Sequence, residues 1–144
     1  MNLKSIDYSV LVTVSHDEDI VSASKKLIEF KRGAALVGEP QNPLGIYSER
    51  DLLTKVIALG KPPSQVKVSE VMTKDLITIP ITDSLETALK TMRDHHIRHL
   101  PLTDKTGKVI AMLSMRTLLE KLLEKIDLEN ESLEAMLTAD GFGG

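Results

Sequence analysis

Apolar positions along this chain change their period in a fixed order, and the order is written twice. Val10 to Val14 is a short β-branched run that predicts a strand. After the polar Ser15-His16-Asp17-Glu18-Asp19, the residues Ile20, Ala23, Leu27 and Ile28 keep a helical period, and Gly33 is placed to close that helix. Ala34 to Val37 predicts a second strand, Glu39-Pro40-Gln41-Asn42-Pro43 a turn, and Leu44 to Tyr47 a third strand. A second helix runs from about Glu49 to Leu59 and stops at Gly60-Lys61-Pro62-Pro63.

The same sequence of elements returns further along. A strand is predicted near Leu76 to Ile79, a helix from Ser84 to about His95 and a strand from His99 to Thr103; the turn Asp104-Lys105-Thr106-Gly107 then leads into Val109 to Leu113. Displaced by 65 positions, Leu11-Val12-Thr13-Val14 falls on Leu76-Ile77-Thr78-Ile79, Ala23 on Ala88 and Lys25 on Lys90. Past the following turn the displacement is 66, and Ser48, Arg50, Leu52, Leu53 and Lys55 fall on Ser114, Arg116, Leu118, Leu119 and Lys121. A duplication tolerates such a one-residue slip in a turn. The chain therefore divides into a first βαββα unit at 6–60, a linker at 61–75, a second unit at 76–126, and a helix end and tail at 127–144. Leu118, Leu119, Leu122, Leu123, Ile126, Leu133 and Leu137 lie on a charged helical stretch reaching about Thr138. It either packs on its own chain or offers an apolar stripe to a second copy or a partner. Ala139 to Gly144 reads as a frayed tail.

Composition narrows the function classes. Apolar residues make up 42% but aromatics only 3%, with no Trp, so the core is aliphatic and base stacking on aromatic rings is a poor expectation. A net charge of −3 with mixed signs argues against broad attraction to nucleic acid or membranes. The absence of cysteine excludes disulfides, thiol catalysis and Cys-ligated zinc, and fits a cytoplasmic location. His95, His96 and His99 lack the partners of a tetrahedral metal site, so none is expected. No P-loop, Gly-x-Gly-x-x-Gly or Ser–His–Asp pattern is present, and catalysis is not expected.

One difference between the units carries chemistry. Ser48-Glu49-Arg50-Asp51 in the first unit becomes Ser114-Met115-Arg116-Thr117 in the second. Ser-x-x-Asp before an apolar run is a helix capping box, but a carboxylate there can also accept from both hydroxyls of a ribose; the two readings are compatible.

The βαββα duplication resembles the cystathionine-β-synthase (CBS) domain family, on Ile97-Arg98-His99-Leu100-Pro101-Leu102 before one strand and Gly45-Ile46-x-Ser48-x-x-Asp51 after another. Met72-Thr73, ahead of the Ile77 strand, matches the usual start of a second repeat. The resemblance covers about residues 6–125. It implies an α/β (α+β) fold in which tandem repeats pack about a pseudo-twofold axis and leave two clefts, extended here by the C-terminal helix. It also implies a regulatory, signal-transducing module, commonly a homodimer, that binds AMP, ADP, ATP or S-adenosylmethionine. A ligand-independent interaction module is the alternative. Carried over residue by residue, the first cleft has Asp51 and Ser48 at the ribose, Ile46, Met72, Thr73, Ile77 and Ile97 about the adenine, and Arg98, His99 and Arg50 toward phosphate. The second, weaker cleft has Met112, Ser114 and Thr117 facing Lys31, Arg32 and Gly33. Asp51 makes the first cleft the expected principal site.

Overall fold

The computed structural model describes residues 2–139. The first repeat contains β1 (Thr13–Val14), α1 (Ile20–Phe30), β2 (Ala34–Glu39), β3 (Asn42–Ser48) and α2 (Glu49–Leu52), which continues as a π-helical stretch over Leu53–Ile57. A short α3 (Val68–Val71) precedes the second repeat of β4 (Ile79–Pro80), α4 (Leu85–His95), β5 (His99–Thr103), β6 (Val109–Ser114) and α5 (Met115–Ala139). Each repeat builds a three-stranded sheet in which the first strand pairs parallel with the second, and the second pairs antiparallel with the third. The duplicated mixed α/β architecture expected from the sequence is what the structure shows.

Local chemistry explains where elements begin and end. Asp19 caps α1 by accepting from Ser22 N at 2.9 Å, and Ser84 caps α4 by accepting from Thr87 N at 3.1 Å. Gly33 does not close α1: the left-handed C-terminal residue is Lys31, with φ 53°, and its counterpart His96 closes α4 with the same φ. The opening strands are shorter than the apolar runs. Val10 is 77% exposed, and ladder pairing reaches only Thr13 and Val14, opposite Leu36 and Val37. In the second repeat, pairing begins at Ile79 rather than Leu76. The turn between β2 and β3 is tighter than expected, because Glu39 already pairs with Asn42.

The two cores are knit together by exchanged segments. One core unites Val14, Ile20, Leu27, Val37, Tyr47 and Val56 of the first repeat with Val66, Val68 and Val71 from the stretch read as a linker. The other unites Leu85, Met92, Leu100, Leu102, Leu113 and Leu118 with Leu3 and Ile6 from the start of the chain. Backbone hydrogen bonds from Val68 N to Glu18 O and from Ile20 N to Val66 O fasten the first exchange. α5 is anchored on α4 by Lys125, which bonds Glu86, and by the partly buried Leu122. From Ile126 to Thr138 its side chains are exposed, including Ile126, Leu133, Met136 and Leu137. Ala139 ends the helix, and the rest of the expected tail lies outside the described residues.

Candidate functional site

The junctions where a third strand turns into a helix sit at equivalent places in the two repeats. Glu49 N donates to Gly33 O at 3.0 Å, and its counterpart Met115 N donates to Arg98 O at 2.8 Å. Each junction is thus tied to the segment ahead of the second strand of its own repeat.

In the first cleft Ser48 caps α2 and Asp51 completes the box. Ser48 N and Oγ donate to Asp51 Oδ2 at 2.9 and 3.1 Å, and Asp51 N approaches Ser48 Oγ at 3.4 Å. Asp51 is buried, and its second oxygen, Oδ1, holds Lys55 Nζ at 2.9 Å. Lys55 also donates to Val71 O at 2.8 Å. Ile46 and Thr73 exchange both backbone hydrogen bonds, at 3.0 and 2.9 Å, so the walls are tied together beside Gly45 and Met72. Met72 packs against the first core, whereas Ile77 and Ile97 pack against the second. Arg50 and Arg98 are exposed.

The second cleft encloses a cavity of about 550 Å³, within the range of small-molecule sites. All six residues expected there line it: Lys31, Arg32, Gly33, Met112, Ser114 and Thr117. His99, the first residue of β5, lines it as well. Ser114 Oγ accepts from Thr117 N at 3.1 Å and donates to Thr117 Oγ1 at 3.0 Å, so a hydroxyl pair replaces the carboxylate at the start of α5. Lys31 and Arg32 form no salt bridge among the described residues. Sequence reasoning missed Tyr8, Glu49, Arg116 and Glu120 in this wall. Tyr8 was open to discovery, since it is the counterpart of Thr73; its hydroxyl donates to Leu3 O at 2.8 Å, and burial pushes its pKa up to about 12.

His99 is a titratable group whose protonation this setting alters. A Cβ on Gly33 would sit 3.1 Å from His99 Nε2 and 3.2 Å from Glu49 Oε1, so both tips converge over that glycine. Burial holds the imidazole below its ordinary value; the Glu49 carboxylate opposes this and Arg98 adds to it. The folded state therefore prefers neutral His99, while the unfolded chain takes up the proton below about pH 6.5. Stability contributed by this group is fully present above that pH and is lost as pH falls through it. Urea unfolding at a series of pH values should show a shallower slope between about pH 5 and 7 in His99→Gln than in the wild type; equal slopes would remove His99 as the cause.

A sequence model of the CBS domain matches residues 4–58 and 68–124. The uncharacterized protein MK0525 of Methanopyrus kandleri is 35% identical over 111 residues, covering 76% of this chain and 57% of that protein. The mitochondrial CBS domain-containing protein CBSX3 of Arabidopsis thaliana is 32% identical over 139 residues, covering 93% of this chain and 66% of that protein. The chain thus spans somewhat under two thirds of the length of these relatives. Among solved structures, a putative signal-transduction protein with CBS domains from Burkholderia ambifaria superposes with a TM-score of 0.76 at 26% identity, covering 85% of this chain and 90% of the other. A CBS domain protein, PAE2072 of Pyrobaculum aerophilum, complexed with AMP, gives 0.73 at 22% identity, covering 81% and 89%, which shows a shared fold.

Proposed function

Because the chain belongs to the CBS-domain family, with two copies of the repeat, we propose that it is a regulatory module that takes an adenosine-type ligand into the cleft between its repeats. The observation that carries this reading is the cavity walled by Lys31, Arg32 and Gly33 on one side and by the start of α5 on the other. Such a ligand offers a flat base, two ribose hydroxyls and an anionic phosphate. His99 and Glu49 close over Gly33, and Met112 supplies an apolar contact for the base. The Ser114 and Thr117 hydroxyls are placed for ribose, while Lys31 and Arg32 suit a phosphate. AMP, ADP and ATP fit this chemistry, and S-adenosylmethionine would replace phosphate with a sulfonium and an amino acid. Regulation follows if the ligand binds one arrangement of the repeats better than another.

The proposal moves the principal site from the Asp51 cleft to the Thr117 cleft, since the Asp51 carboxylate is already engaged by Ser48 and Lys55. Isothermal titration with AMP, ADP, ATP and S-adenosylmethionine tests it. Charge-assisted hydrogen bonds contribute about 1.5–3 kcal/mol each, so the double variant Lys31→Ala/Arg32→Ala should weaken nucleotide binding by ~10-fold or more. Asp51→Asn, which keeps the cap, should change it little. The reverse ranking returns the principal site to Asp51, and no binding of any of the four ligands overturns the reading.

A further inference from the structure

We propose that Lys55 is a latch that keeps the first cleft from taking a second ligand; this rests on the ligand-binding reading above. A ribose diol is clamped by a carboxylate only if at least one of its oxygens is open to both hydroxyls. At Asp51 neither is open. Oδ2 receives the Ser48 N–H and hydroxyl, and Oδ1 holds the Lys55 ammonium at 2.9 Å. The Ser48 contacts belong to the helix cap and cannot be given up without fraying α2. The Lys55 contact can, because that side chain is 43% exposed and reaches water readily, while the Asp51 side chain is 8% exposed.

Lys55 does more than neutralise Asp51. The same ammonium donates to Val71 O at 2.8 Å, at the end of α3, directly ahead of Met72 and Thr73 in the opposite wall. Together with the two Ile46–Thr73 hydrogen bonds, it straps β3 and α2 of one repeat to the opening segment of the other. A ligand that takes Oδ1 therefore has to displace an ammonium that the bond to Val71 O holds in place. Among the described residues the second repeat has no such device. Lys121, the counterpart of Lys55, pairs with Glu124 at 3.3 Å, because Thr117 offers no carboxylate to hold it. The asymmetry between Asp51 and Thr117 thus brings with it an asymmetry of access: the cleft with the better ribose acceptor is the one held shut.

The test counts AMP molecules bound per chain by equilibrium dialysis on the full chain. Wild type should bind one under conditions where Lys55→Gln binds two, since glutamine keeps a donor for Val71 O without the charge that holds Oδ1. Adding Asp51→Asn to Lys55→Gln should return the count to one. Lys55→Met serves as a second variant, with folding verified by circular dichroism. If wild type binds AMP while both Lys55 variants still bind only one, the latch is refuted and the binding reading stands. A wild type that already binds two also refutes the latch. No binding by wild type or any variant refutes the binding reading itself.

Discussion

Leu3→Ala should destabilise the protein by about 2–5 kcal/mol, the range for removing a leucine side chain from a closed core. The side chain is 0% exposed, although it lies almost at the start of the chain, where fraying is the ordinary expectation. Its neighbours are not those of its own repeat. Leu3 packs in the core formed by Leu85, Met92, Leu100, Leu102 and Leu113, so the cavity opens beneath the second sheet. Urea unfolding reads the loss, and native-state hydrogen exchange locates it. Protection should fall first in α4, β5 and β6, ahead of α1 and β2. Faster exchange confined to α1 and β2 would contradict the exchanged packing.

Gly45→Val should be nearly as damaging, for the opposite reason. A Cβ at Gly45 would lie 2.5 Å from Thr73 O and 3.2 Å from Thr73 C, both backbone atoms that cannot swing aside. Relief requires the Thr73 segment to retreat, which breaks the two hydrogen bonds between Ile46 and Thr73. Overpacking costs about 1–3 kcal/mol, and the added loss of a two-bond bridge places this variant at the upper end, near ~3 kcal/mol. Thermal unfolding measures it, and a Tm unchanged from wild type would mean that the walls of the first cleft are not held by that bridge. The counterpart position shows why the constraint is local. Ala111 carries a Cβ in the second repeat, where no such bridge joins Met112 to Tyr8 among the described residues.

Much of this arrangement is legible in the amino-acid sequence. The helical spacing of Ile20, Ala23 and Leu27, matched by Leu85, Ala88 and Met92, is a local consequence of burying one helix face, and both triplets are buried as expected. The capping box of Ser48 and Asp51 follows from residue types three apart, and it forms. What escaped the sequence depends on partners distant along the chain. Val68 and Val71 look like a linker with a few apolar residues, because nothing local says that another repeat's core will receive them. Val10 has strand propensity, yet its segment lines the second cleft and pairing with β2 begins only at the Val12 carbonyl. Lys31 and His96 are poor candidates for a left-handed backbone, and Gly33 nearby was the natural but mistaken choice. The latch on Asp51 was half visible as an acid and a lysine four residues apart on a helix. Its other half, the bond to Val71 O, needed the fold.

The exchange of opening segments has a consequence for how such a chain could have arisen. A repeat deprived of its neighbour's contribution has an unfilled core, so the smallest unit able to complete itself is a pair. Two separate copies of one repeat could satisfy each other by lending the same segments across, as in a domain-swapped dimer. The chain reads as that dimer fused into one polypeptide. Halves joined in one polypeptide need not be identical, and here one carries Asp51 where the other carries Thr117.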